Sequence, residues 1–143
     1  MFSAERHLRH LADFGGILFS EDLTNFSVLS FPMGFLLHTN GTYWISLVLK
    51  EDVIEVMDPL GFIKNSAFEN LQLFLKSEMG DKTLISSPKI QMSSHSNCAL
   101  FAITFLFWSL ECKRSLLSFM ELFSDNALQN TDTIETLFSF INS

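Results

Sequence analysis

Cys98 stands where a polar, serine-rich stretch from Gln91 to Asn97 runs into an apolar segment that continues to Leu110. That change of composition predicts a helix opening at or just before the cysteine. A thiol there meets unpaired backbone N–H groups and the positive end of the helix dipole, which favour thiolate over thiol from a starting pKa near ~8.5. The same N–H groups suit an oxyanion hole. Set against this, a free cysteine is most often a small buried hydrophobe. The chemistry therefore needs partners, and three further features supply candidates: Gln91 seven positions before Cys98, Tyr43-Trp44 in a strand pattern, and Asp58-Pro59-Leu60-Gly61-Phe62 after a second strand.

Strands must bring these together. Phe35 to Thr39, then Asn40-Gly41, then Thr42 to Lys50 reads as a hairpin, since Asn-Gly supplies the positive φ angles of a tight turn. Tyr43 to Leu49 and Val53 to Met57 are apolar on both faces, as covered central strands are. Lys50-Glu51-Asp52 turns one into the other, so Tyr43 begins one strand and Asp58 ends its antiparallel neighbour. The two ends are adjacent in space.

The remaining elements frame that pair. Ser3 to Asp13 reads as a helix closed by Gly15-Gly16, and Ile17 to Pro32 as loop with a short helix or strand. Asn65 to Met79 reads as a surface helix with a Ser66/Glu69 capping box and a stop at Gly80. Lys82 to Met92 is a strand broken by Pro88, Ser115 to Phe123 an amphipathic helix, and Asp132 with Glu135 caps a last helix carrying Leu137, Phe138 and Ile141. The expected class is α+β, a small antiparallel sheet against a central buried helix that begins at Cys98.

With the order Tyr-Trp, Asp-Pro-Leu-Gly-Phe, Gln and Cys-Ala-Leu-Phe assembled, the chain resembles the adenovirus-type cysteine protease (adenain) family, related to the proteases that process ubiquitin-like modifiers. The resemblance runs from about Phe14 to Phe107. It implies a papain-like, adenain-like fold, with Cys98 as nucleophile, Gln91 in the oxyanion hole, Asp58 as the acid that orients a histidine, and Trp44 beside the cleft. At the base position it puts Tyr43, where the family has histidine. Ala99 replaces the glycine that follows the nucleophile, keeping the N–H but adding a methyl group.

The departure at Tyr43 falls on the proton-transfer group. A phenol with a reference pKa near ~10 is already protonated and accepts a second proton only at great cost. Loss of general acid–base catalysis costs roughly 10²- to 10⁴-fold. His95, three residues before Cys98, and His38, across the Asn40-Gly41 turn from Tyr43, are the candidate replacement bases; loop and strand-face roles are the ordinary alternatives for them. The expected function is thus a peptidase homologue of viral or mobile-element origin that is catalytically impaired and acts as a protein- or peptide-binding or particle-associated protein. An active cysteine endopeptidase with a noncanonical base is the alternative. Coincidental motifs in a plain α+β protein make a third.

Composition narrows the partners. With 143 residues, 48% hydrophobic and 17% charged, one domain spanning 1–143 can hold a full core. A net charge of -7 argues against broad nucleic-acid binding, so the DNA dependence that the resemblance implies is not expected. The apolar run from Cys98 to Leu110 falls short of the ~20 residues of a membrane span, and no secretory signal is visible at the N-terminus. His7, Arg9 and His10 read as a solvated basic face, with no metal and no cofactor expected. Cys98 and Cys112 are too few for a disulfide framework, which suits a reducing interior: host cytoplasm or nucleus, or a virion.

Overall fold

The computed structural model describes residues 8–26, 30–38, 43–61, 69–91 and 97–141. Its centre is a five-stranded sheet in chain order: β1 (Phe14–Phe19), β2 (Met33–His38), β3 (Trp44–Leu49), β4 (Val53–Met57) and β5 (Thr83–Ser86). β2, β3 and β4 pair antiparallel, with His38 opposite Trp44 and Ser46 opposite Met57. Both edges differ from the expected antiparallel sheet. β1 runs parallel to β2, and β5 parallel to β4, so the sheet is mixed. The physical reason is that each edge strand is reached by a crossover rather than a hairpin. A 3₁₀ turn, Ser20–Asn25, lies between β1 and β2, and helix α1 (Glu69–Met79) between β4 and β5.

The alternation along the central strands builds two cores. Phe35, Leu37, Ile45, Leu47, Ile54 and Val56 face α1, packing on Leu71, Phe74 and Leu75. Leu36, Val48 and Met57 face the other way, onto α2 (Cys98–Leu106) and behind it α3 (Leu116–Met120) and α4 (Ala127–Ile141). α2 is apolar all round and buried along nearly its whole length, as a helix without a polar face must be. Each fully buried Phe or Leu contributes roughly 1.5–3 kcal/mol; Leu106 lies beside Gly34 of the sheet, while Phe101 and Phe105 pack on Phe123 and Phe119 behind the helix. Gly34 lets β2 approach the far end of α2: a Cβ there would sit 2.8 Å from Leu110.

Several boundaries move. Residues 9–13 are turns rather than helix, and Gly15-Gly16 lie inside β1, where Gly16 at φ +115° absorbs a register irregularity. The strand expected over Lys82 to Met92 pairs only through Ser86. α3 is short, with Ser115 accepting the Ser118 N–H, and α4 starts at Ala127, where Asn126 accepts the Gln129 N–H; Asp132 is interior. Ser3, His7, the Asn40-Gly41 turn, Ser66 and His95 lie outside the described residues. Glu55, within an apolar strand, is buried at 1% exposure; Lys50 pairs with it at 2.9 Å, and it accepts the Leu116 N–H at 2.8 Å.

Candidate active site

The pairing of β3 with β4 sets the ends of both strands side by side, and Tyr43 meets Asp58 there. The Tyr43 hydroxyl donates to Asp58 Oδ1. The Leu60 N–H donates to both Tyr43 Oη, at 3.1 Å, and Asp58 Oδ1, at 3.2 Å. Asp58 is fully buried. Its backbone is clamped as firmly as its side chain: its N–H donates to Ser87 Oγ at 2.7 Å, and that hydroxyl donates back to the Asp58 carbonyl at 2.7 Å. The Gly61 N–H closes the turn onto the same carbonyl at 2.9 Å, with Gly61 at φ +67°, a conformation that favours glycine. Asp58 is therefore both a turn former and the acceptor for Tyr43.

Gln91 belongs to the adjoining loop. Its N–H and that of Ile90 donate to the Pro59 carbonyl at 3.1 and 2.8 Å, and its side chain is 2% exposed. Cys98 opens α2 after Asn97, as its sequence position suggests. The Trp44 N–H donates to Cys98 Sγ at 3.3 Å, fixing the sulfur against the start of β3. Trp44 thus serves the site through its backbone, while its indole lies 4.4 Å from the His38 ring. His38 sits on its strand between Trp44 and Phe19.

The electrostatics reverse one expectation. The Cys98 thiol is held above its ordinary value, chiefly by burial, although the N–H groups of Trp44, Ala99 and Cys98 itself pull the other way and the Asp58 charge adds to the rise. The helix opening supplies the N–H groups as anticipated, yet Cys98 is only 6% exposed, and dehydration together with the Asp58 charge outweighs them. Tyr43 is pushed well above the usual phenol range, first by burial, then by the Asp58 charge and by the hydrogen bond it donates to that carboxylate; the Leu60 N–H opposes and Cys98 adds a little. The phenol is a fixed proton donor.

Those shifts predict an alkaline liability. With folded values raised above unfolded ones, the native state keeps protons that the unfolded chain releases, and stability falls as pH rises. The slope opens near each unfolded value, ~8.5 for Cys98 and ~10 for Tyr43, and from there each group subtracts up to ~1.4 kcal/mol per pH unit until its raised folded value is passed. Urea titrations from pH 7 to 11 should show this loss, and Tyr43→Phe should flatten it. An unchanged slope in that variant would remove Tyr43 as a cause.

Tyr43, Asp58 and Cys98 are thus assembled in one place, with Gln91 on the neighbouring loop. Ser87 and the Leu60 N–H were not foreseen. No spacing marks Ser87; only the Val56–Ser86 register, one residue earlier, carries it to Asp58. Among the described residues no cluster of three or more His, Cys, Asp or Glu could hold a metal ion, and no helix is long and apolar enough to cross a membrane.

Comparison with known sequence families and with curated proteins gave no match. Solved structures do match. The central domain of the uncharacterized Lpg1148 protein from Legionella pneumophila superposes with a TM-score of 0.51 at 9% identity, over 90% of this chain and 88% of that domain. The ASFV pS273R protease superposes with a TM-score of 0.56 at 13% identity, over 96% of this chain and 62% of the protease. At these identities the likeness establishes the fold alone, an α+β arrangement shared with that domain and with that protease.

Proposed function

We propose that the chain is an adenain-like cysteine-peptidase homologue, of viral or mobile-element origin, whose proton-transfer group has been replaced by Tyr43 and whose cleft binds protein or peptide instead of cutting it. One observation carries this reading: the carboxylate that would orient a histidine is occupied by the Tyr43 hydroxyl. A base must accept a proton from the thiol, and this phenol has none of the required capacity. The fold shared with a viral protease and the retained Cys98, Gln91 and Asp58 support descent from a working site. In this reading Cys98 is the former nucleophile, Gln91 the oxyanion donor and Asp58 the orienting acid, with an intracellular or particle-borne setting and no nucleic-acid partner.

The test is the pH profile of Cys98 alkylation by iodoacetamide, with Cys98→Ser subtracting the exposed Cys112. The expected inflection lies at or above the ordinary thiol value of ~8.5. An inflection below ~7 would mean an activated thiol and would favour an active endopeptidase working through another base.

A further inference from the structure

Beyond β5 the chain loses its ladder. The Ser87 N–H still donates to the Val56 carbonyl at 3.0 Å, but residues 88–91 belong to no helix or strand, and Pro88 has no N–H to offer. Gln91 therefore depends on individual bonds for its place. Two of them grip a single peptide group, the one joining Ile90 to Gln91: its N–H donates to the Pro59 carbonyl at 3.1 Å, and its carbonyl accepts from Asn130 Nδ2, on α4, at 2.9 Å. A trans peptide unit is planar, with N–H and C=O pointing opposite ways, so bonds at both ends fix its rotation and constrain where the Gln91 side chain can depart.

Both anchors of that peptide group are themselves held. Pro59 follows Asp58, whose carbonyl accepts the Gly61 N–H and the Ser87 hydroxyl. On the other side, Asn130 Oδ1 accepts the Ser124 N–H at 2.8 Å, and Nδ2 donates to the Ser124 carbonyl at 2.8 Å as well as to Ile90. Only one orientation of the amide serves these bonds, since exchanging its oxygen and nitrogen would set an oxygen against two carbonyls. Ser124 is tied in turn to the start of α4: its Oγ accepts the Asn126 N–H at 3.1 Å, and the Asn126 carbonyl accepts the Asn130 N–H at 3.0 Å.

Asn130 is 1% exposed, and it shares the buried face of α4 with Ile134. A polar side chain at that depth costs free energy unless it is bonded, and an apolar residue beside Ile134 would serve packing without the cost. What Asn130 adds is a donor of fixed direction, delivered from 40 residues away in sequence to the carbonyl just before Gln91.

We propose, resting on the reading of Gln91 as an oxyanion donor, that Asn130 is a positioning residue for it: acting from α4 through the Ile90 carbonyl, Asn130 sets the angle at which the Gln91 amide meets an oxygen bound beside Cys98. A helix that contributes no side chain to the cleft thereby governs the geometry of the cleft.

Two measurements on the full chain test this. Hydrogen exchange of the Gln91 amide reads the grip directly. Asn130→Ala should speed it about tenfold more than Asn126→Ala does, a variant that removes the acceptor of the Gln129 N–H and destabilises α4 without touching Ile90. The second measurement compares two reactions of Cys98. With 4-nitrophenyl acetate the sulfur adds to the ester carbonyl, forming a C–S bond and an oxyanion; collapse breaks the ester C–O bond, expels 4-nitrophenolate and leaves S-acetylcysteine, the thiol proton passing to buffer. Iodoacetamide alkylates the same sulfur with no oxyanion. The ratio of acylation to alkylation rates, with Cys98→Ser subtracted, thus separates oxyanion stabilisation from exposure and ionisation of the thiol. It should fall at least about tenfold in Gln91→Ala, by a similar factor in Asn130→Ala and no further in the double variant, because one residue acts through the other. Asn126→Ala should leave it unchanged. Asn130→Gln, which keeps the amide but displaces it by one methylene, carries the same expectations if the alanine variant does not fold. Gln91 exchange no faster in the Asn130 variant than in Asn126→Ala, or additive losses in the double variant, would overturn the proposal. A ratio that falls in Gln91→Ala and holds in the Asn130 variant overturns it and leaves the peptidase reading standing; a ratio unmoved by Gln91→Ala overturns both.

Discussion

Replacing Tyr43 with histidine is expected to speed alkylation of Cys98 at pH 7 by at least ~10-fold, because thiols paired with histidine fall to pKa values of ~3.5–7.5 from a range where only a few per cent is thiolate. The groups that would receive the new side chain are in place. Asp58 Oδ1 now accepts the phenol and would accept an imidazole N–H instead. The Trp44, Ala99 and Cys98 N–H groups already act to stabilise a sulfur anion, and burial with the Asp58 charge outweighs them. An imidazolium beside the thiolate supplies the opposite charge that a buried anion needs. Peptide cleavage should appear with it, ~10²- to 10⁴-fold above the parent chain, the usual worth of a positioned base. The fold should survive, since the Leu60 N–H keeps Asp58 Oδ1 as acceptor at 3.2 Å when Tyr43 Oη is removed. An unchanged alkylation profile in a variant that still melts cooperatively would show that position 43 is not where a base belongs.

Local rules carried the reading of the sequence as far as local rules reach. Apolar runs, the Asn40-Gly41 signal and the Lys50-Glu51-Asp52 turn are properties of neighbouring residues, and from them the β2–β3–β4 pairing and the meeting of Tyr43 with Asp58 followed. The parallel edges did not, because β1 and β5 find their places through crossovers whose direction no short pattern encodes. Gly15-Gly16 reads as a helix stop in one dimension and serves as a bulge in three. Glu55 hides in an apolar strand because its partners, Lys50 and the Leu116 N–H, come from a turn and from a helix 61 residues away. The Cys98 thiol shows the same limit in its charge: position at a helix opening is legible, whereas the dehydration that overrides it is set by everything packed around α2.

The second large effect concerns stability. Asp58→Ala removes the acceptor of the Tyr43 hydroxyl and one acceptor of the Leu60 N–H from a fully buried setting, and should cost about 3 kcal/mol. Tyr43→Phe keeps the ring against the α1-side core but leaves the carboxylate short of a donor, for about 2 kcal/mol. If the two act as one unit, the double variant should lose less than the sum by at least ~1 kcal/mol in urea denaturation at pH 7. Additive losses would show that the hydroxyl and carboxylate do not depend on each other.

If the site turns over no substrate, as proposed, the cycle also addresses why it would persist. A buried carboxylate with its histidine gone would be an unpaired charge, strongly destabilising at that depth. A phenol answers it with a neutral donor whose proton stays put across physiological pH, and Ser87 with the Gly61 turn holds the acceptor in line. Under the proposed reading Asp58 would have passed from orienting a base to securing the junction of β3, β4 and the Gln91 loop, and selection on folding alone would suffice to keep it. Restoring a histidine at position 43 would then test chemistry, and removing Asp58 would test architecture, at the same pair of atoms.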